Sequence, residues 1–473
     1  MCMFRSAKMK SDGRLGACVS SEGLRTVTKA RWNRLATFTT MAAVPVAMAA
    51  AQPAAGPVTP APKPGLQPKP ADPIGPLPDG TDQAAPPPAQ PEPEPLPPPP
   101  PPIWQVMQAK ALLDYINNVG SEGLSPADYD PAGLIAAMRS GDPLILAQAA
   151  TDRFNKLSSD LALGHVRGDA RIDWHLIDKD LDDVRQRQML DAALVTNRIP
   201  EVLNTLLPTH PQYGALRTAL SITPRTETQK INKIRLNMDR WRWLPRELGE
   251  KYIIVNVPSY YATLVENGAT RFKTRAVAGA IKTPTPQLNA TAVGVILNPW
   301  WEVPKSISGE VAGKAGYVAV KGKDGKIQRW RQPPGPTNAL GQLKFVMYNE
   351  QNIYLHDTNA KSRFNSQVRA ASHGCIRTKD VLDLATMLLG DDGGEWAPDK
   401  IAETLASKKS KQANFVKPLP VYIVYFSVAA NTDGSIVNYD DMYKRDGKVI
   451  AALLDNEGKA PDKKPPEKVA TKS

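Results

Sequence analysis

Proline decides first where this chain can fold. Between Gln52 and Pro102 lie 22 of its 45 prolines and no aromatic residue, and the stretch ends in an unbroken run from Pro97 to Pro102. A segment this rich in proline and this poor in large apolar side chains cannot pack a core. It favours polyproline II, rising about 3.1 Å per residue, so fifty residues reach on the order of 150 Å as a semi-rigid spacer. Two uses fit such a spacer: holding a folded part away from its point of delivery, or offering a ligand to a proline-recognising partner. Folding is confined to the chain beyond Pro102.

The chain ahead of the spacer reads as an export signal over residues 1–51. Lys29, Arg31 and Arg34 lead into an uncharged run from Leu35 to Ala51. Small residues close the run, and Ala47-Met48-Ala49 and Ala49-Ala50-Ala51 both fit a small-x-small cleavage pattern. Pro45 and the shortness of the run argue against a stable span. The alternatives are an uncleaved anchor and a start of translation downstream of Met1, so membrane contact is expected only during export or through such an anchor. Removing the signal, with its eight Lys/Arg and two Asp/Glu, lowers the net charge from +12 to +6. The remaining cations are scattered or sit in the tail, without the interleaved aromatics of a nucleic-acid surface, so no nucleic acid is expected as partner.

Beyond the spacer the sequence has two textures. Residues 103–224 carry apolar side chains at helical spacing in "IWQVMQAKALLDYI", "DPLILAQAATDRFNKLSSDLAL" and "IPEVLNTLL", with Ser125-Pro126 and Asp142-Pro143 as start signals. Residues 225–447 open with a charged helix, "TQKINKIRLNMDRWRWL". They continue as β-branched and aromatic runs such as "KYIIVNV", "AVGVIL" and "VYIVYFSV", bounded by Gly, Pro and Asn. The pattern predicts a mostly antiparallel sheet or sandwich with embedded helices at Lys379–Leu389 and Asp399–Ser407. The Gly-, Lys- and Pro-rich stretch from about 305 to 341 is too long for a hairpin and reads as a lid over a site or as disorder. Residues 448–473 read as a Lys-rich disordered tail. The fold class is thus α+β multidomain, a helical domain followed by a β-sandwich-like one.

Cysteine arithmetic sharpens the reading. Cys2 and Cys18 fall in the export signal, which leaves Cys375 alone. A lone cysteine in an oxidising compartment serves packing or chemistry, and its neighbours decide which. In "NIYLHDTNAKSRFNSQVRAASHGCIRTKD" it is joined by two of the five histidines, His356 and His373. A nearby imidazole, or the N-terminus of a helix capped by Thr378, would favour the thiolate. His373 needs a tight turn to reach the sulfur, whereas His356 can arrive from a neighbouring strand, so His356 is the favoured base. Gly374 permits close approach of a carbonyl and a turn that aims successive amides as an oxyanion hole. Arg377 could hold a carboxylate in a bidentate manner. A structural cysteine beside chance histidines, and a metal site from His356, Asp357, His373 and Cys375, remain as alternatives, although the spacing matches no zinc pattern.

With these residues in place, "HDT…RAASHGCIR" resembles the signature of L,D-transpeptidase (YkuD-like) catalytic domains. "RWRWLP", "VNVP", "NPWWEVP", "PGPTNALGQLKF" and "VYIVYFSV" come in the order of the large Gram-negative periplasmic subfamily. "GLSPADYD" and "LPTHPQYGALR" are similar to that subfamily's helical scaffold domain. The resemblance implies a periplasmic, cofactor-free enzyme acting on peptidoglycan stem tetrapeptides, with no metal. Cys375 would attack the diaminopimelate carbonyl and expel D-alanine. The thioester would pass to a stem amine in a 3→3 cross-link, to water, or to an outer-membrane protein. By the same resemblance the Gly374 and Cys375 amides form the oxyanion hole, and Arg377, His373, Ser372, Tyr354 and Trp301 contact substrate. Members of the subfamily carry a small peptidoglycan-binding domain between the two parts. Here Leu220 runs almost directly into the charged helix, so glycan anchoring would fall to the scaffold, a partner or surface charge.

Overall fold

The computed structural model describes residues 102–177 and 179–455. The expected export signal, all of the spacer but Pro102, and the chain beyond Asp455 lie outside the described residues. No helix among the described residues is long and apolar enough to cross a membrane.

The first region is helical: α1 (Val106–Asn118), α2 (Pro131–Ser140), α3 (Pro143–Leu163), α4 (Asp183–Thr196), α5 (Ile199–Asn204) and α6 (Pro211–Ile222). Its start signals act physically. Asp142 accepts the Leu144 and Ile145 N–H groups just ahead of Pro143, satisfying donors that the first turn leaves unpaired. Ser125-Pro126 opens only a short 3₁₀ turn, after which Asp130 caps α2 through the Gly133 N–H. Leu112, Ile116, Leu134, Phe154, Leu157 and Leu161 fill the core between these helices.

Helix α7 (Thr228–Arg242) is the joint between the two regions. Although charged, its second half is buried: Ile234, Met238 and Trp241 pack on Tyr252, Tyr422 and Val424 of the sheet and on Phe426. Arg240 ion-pairs with Asp446 at 2.8 Å, and Arg242 lies 3.5 Å from Asp239 and donates to the Tyr213 hydroxyl at 2.6 Å. These partners offset the desolvation that an unpaired guanidinium would suffer.

The strands in chain order are β1 (Lys251–Asn256), β2 (Tyr261–Glu266), β3 (Ala269–Gly279), β4 (Leu288–Leu297), β5 (Trp301–Glu302), β6 (Val318–Lys321), β7 (Ile327–Gln332), β8 (Leu343–Met347), β9 (Leu355–His356), β10 (Ala370–Ser372), β11 (Ile376–Thr378), β12 (Lys411–Val424), β13 (Val428–Ala430) and β14 (Ile436–Asn438). The main sheet runs β10-β3-β11-β9-β8-β4-β12-β1-β2, and β2 also pairs with β3, so eight strands close on themselves. Most pairings are antiparallel, but β1–β12, β9–β11 and β3–β10 are parallel. Alternation sorts the side chains. Ile253, Val255, Val421 and Ile423 face one core with helix α9 (Val381–Asp391), while Tyr252, Tyr422 and Val424 face α7.

Two expectations are corrected. The expected tail from 448 is not all tail, because helix α11 (Asp446–Leu453) buries Val449 and Leu453 against Leu236 and Trp243. Its apolar stripe is only two turns long and borders a lysine-rich stretch, which hides it in a reading by composition. The helix after the cysteine begins at Val381, with Asp380 as cap and Thr378 inside β11; α8 (Ser308–Val311) precedes it and α10 (Pro398–Ala406) follows it.

Candidate functional site

The register of β9 against β11 builds the site. These strands run parallel with Ile376 beside Leu355 and Arg377 beside His356, and the Ile376 N–H donates to the Tyr354 carbonyl at 3.0 Å. Paired residues on adjacent strands share a face, as do residues two apart along one strand. Leu355 and Ile376 therefore point into the core, both 0% exposed. Tyr354, His356, Cys375 and Arg377 point the other way and line one cavity of about 260 Å³.

Residues 304–341 form the opposite wall. They carry β6 and β7, which pair with each other while β7 also pairs with β5, and present Ile307, Glu310, Val311, Lys314 and Tyr317 to the cavity. Asn338, fully buried, staples the base of this flap: its amide donates to the carbonyls of Pro299, Gln332 and Pro333, and its oxygen accepts the Leu340 N–H. Gly341 comes next at φ +59°, where a Cβ would strike the Asp357 carboxylate, which accepts the Gln342 N–H at 2.9 Å. Asp357 thus fixes the exit of the flap. Among the described residues no group of three or more His, Cys, Asp or Glu is placed to hold a metal.

The sulfur is half-buried, 3.7 Å from the Asn352 carbonyl. Burial pushes the thiol pKa up, more than the Tyr354 backbone and hydroxyl, Lys344 and Arg377 pull it down. Helix α9 gives no help, because β11 stands between its first turn and Cys375, and a helix dipole acts within about one turn. His356 is 5% exposed. Burial first, then the charges of Arg377 and Lys344, push its pKa down to about 3. Its Nδ1 is buried without a hydrogen-bond partner. At neutral pH the cavity therefore holds a neutral thiol and a neutral imidazole.

The other candidates divide. Tyr354 faces both Cys375 and the Trp301 indole, and burial keeps its phenol protonated. Arg377 is half-buried and, among the described residues, makes no ion pair. Gly374 has φ +111°, a region that L side chains avoid. Its amide is not free, since it donates to Ser372 Oγ at 3.1 Å, and that hydroxyl donates to the Cys375 carbonyl at 2.6 Å. Ser372, expected to contact substrate, thus acts as a brace across the turn. Of the two amides expected to stabilise an oxyanion, the Cys375 N–H alone is without an acceptor among the described residues. His373 sits at the mouth, half exposed, 3.5 Å from Glu310 of the flap.

Lys344 and Glu310 join the site without any local signal in the sequence. Lys344 pairs across β8–β9 with His356 and lies 5.0 Å from the Tyr354 ring. Only strand register reveals it.

A match to the L,D-transpeptidase (YkuD) catalytic domain covers residues 250–423, and a match to the Scaffold domain covers residues 100–220. A Haemophilus influenzae protein named "Putative L,D-transpeptidase" is 27% identical over 291 residues, 56% of this chain and 58% of that protein, so the match spans less than two thirds of the relative. Among solved structures, the Enterococcus faecium L,D-transpeptidase catalytic domain acylated by ertapenem is 15% identical, covering 38% of this chain and 99% of that one, with a TM-score of 0.21. An L,D-transpeptidase from Mycobacterium smegmatis is 15% identical over 37% of this chain and 58% of that one, with a TM-score of 0.20. The chain thus carries an L,D-transpeptidase (YkuD) catalytic domain, which holds the Cys375 cavity, and ahead of it a Scaffold domain.

Proposed function

We propose that the protein is a periplasmic, cysteine-dependent transpeptidase that forms 3→3 cross-links between peptidoglycan stem peptides. The observation that carries this reading is the shared face of β9 and β11, which gathers Cys375, His356, Tyr354 and Arg377 in one cavity. In the first step Cys375 sulfur bonds to the diaminopimelate carbonyl of a tetrapeptide stem while its proton passes to His356. The tetrahedral oxyanion sits at the Cys375 N–H. Collapse breaks the bond to D-alanine, whose amine leaves with the proton from His356. The side-chain amine of a second stem then attacks the thioester and regenerates the thiol. Arg377, unpaired in the cavity, suits a donor carboxylate.

The test is incubation of the purified chain with a disaccharide tetrapeptide, followed by mass spectrometry for released D-alanine, 3→3 dimers, and a carbapenem adduct on Cys375. Undiminished turnover in Cys375→Ala, or no adduct on the wild-type sulfur, ends the proposal. Hydrolysed tripeptide without dimers would convert it to a carboxypeptidase.

A further inference from the structure

Outside the cavity lining, Thr285 is fully buried in the segment that joins β3 to β4. Each of its polar groups is engaged. Its hydroxyl donates to the Gly374 carbonyl at 2.7 Å and accepts the Gly279 N–H at 2.9 Å. Its own N–H donates to the Tyr443 hydroxyl at 3.1 Å, and its carbonyl accepts from Arg445 at 3.2 Å. Arg445, 2% exposed and flanked by the Tyr425 and Tyr443 rings at 5.0 Å each, ion-pairs in turn with Asp173. Asp173 lies on the loop after α3, and there its carbonyl accepts the Gln287 N–H at 2.9 Å while the His175 N–H donates to the Gln287 carbonyl at 2.8 Å.

The Gly374–Cys375 peptide is planar and trans, so its C=O and N–H point in opposite directions. A hydroxyl that fixes the Gly374 carbonyl toward the interior thereby aims the Cys375 N–H away from Thr285, toward the cavity. That amide is the one left free for an oxyanion, because Ser372 occupies the amide of Gly374. Gly374 at φ +111° has the freedom to swing this plane, so an external anchor decides its orientation.

We infer that Thr285 is a positioning residue for acyl transfer, and that the loop after α3 supports it through Asp173 and Arg445, making that loop part of the active-site architecture. The inference rests on Cys375 being the nucleophile. It assigns the helical region a role in catalysis beyond anchoring.

The experiment uses the full chain and compares Thr285→Val, which keeps the shape and deletes the hydroxyl, with Thr285→Ser, which restores it. D-alanine release gives kcat and KM, and the rate of carbapenem adduct formation reports acylation alone. Misplacement of a catalytic group by about 1 Å costs roughly a hundredfold in rate. Thr285→Val is accordingly expected to lower kcat and the adduct rate by about ten- to a hundredfold, with KM within about twofold and an unchanged circular dichroism spectrum. Thr285→Ser is expected within about threefold of wild type, and Asp173→Asn to slow the adduct a few-fold. A wild-type rate in Thr285→Val overturns the inference, as does a Thr285→Ser variant equally slow. Should Thr285→Val not fold, Asp173→Asn decides alone, with a wild-type adduct rate overturning it. If wild-type enzyme forms no adduct, the reading of Cys375 fails as well; if it does and Thr285→Val matches it, only the positioning role fails.

Discussion

Lowering the pH should destabilise this protein through the histidine proposed as its general base. Burial, reinforced by Arg377 and Lys344, holds the His356 pKa at about 3 in the folded state, against 6.5 for an exposed imidazole. Between those values the unfolded chain binds a proton that the folded one refuses. Stability from this residue is thus intact above pH 6.5, falls as the pH drops below it, and is fully lost near pH 3. The linkage relation gives a loss of about 2 kcal/mol at pH 5 and almost none at pH 7.5. His210, pushed down to about 4 by burial, acts in the same sense. For His165, burial opposes charging, but the hydrogen bond and charge of Asp160 with neighbouring carboxylates prevail, so it acts in the opposite sense. A whole-protein pH profile therefore mixes signs. The decisive quantity is a double difference: urea unfolding of wild type and His356→Gln, each at pH 7.5 and pH 5. The variant, lacking the titrating group, should lose about 2 kcal/mol less between the two pH values. Equal losses would refute the claim that a buried, uncharged imidazole sits in this cavity.

Two further predictions concern local structure. Leu453→Ala should cost about 2–5 kcal/mol in urea unfolding, the range for a fully buried leucine, because Leu453 is 1% exposed against α7; a cost below about 0.5 kcal/mol would return this segment to the tail. Gly374→Ala forces a side chain to φ +111° with its Cβ 3.2 Å from Ile353, a strain on the order of 1–3 kcal/mol, so adduct formation at Cys375 should slow at least tenfold while secondary structure by circular dichroism is kept.

Sequence alone locates the sulfur and its imidazole because both are rare residues in a short stretch, and rarity survives without coordinates. It misleads on how they are tuned. A helix N-terminus after Thr378 reads as activating, but β11 occupies Ile376–Thr378 and holds the dipole away, and the net effect of the surroundings on the thiol is a rise. The family resemblance implies that Ser372 contacts substrate; in the fold its hydroxyl is engaged within the turn. Thr285 and Lys344 carry no local signal, since their places depend on a carbonyl 89 residues away for the first and on a strand pairing for the second. β-branched and aromatic runs mark the strands, whereas closure through β2–β3 depends on pairing order, which no single strand encodes.

In the proposed mechanism the buried, neutral His356 must become basic enough to take the thiol proton. Among the groups that depress it, Arg377 is the one a substrate can silence. It lies beside His356 in the β9–β11 register and carries an unpaired charge in the cavity. A donor carboxylate paired with that guanidinium cancels much of its field, so the imidazole pKa rises on binding, by on the order of one unit for a charge at this range. The acid limb of kcat/KM reports the free enzyme and that of kcat the complex. The kcat limb should therefore lie about one unit higher. Replacing the cation by Arg377→Gln should raise KM for carboxylate-bearing stems, since a charge-assisted bidentate contact is lost, and should also bring the two limbs together. A wild-type enzyme whose limbs already coincide, or an Arg377→Gln variant that keeps them apart, would show that the activation comes from elsewhere in the cavity, with Lys344 the remaining cation facing the ring.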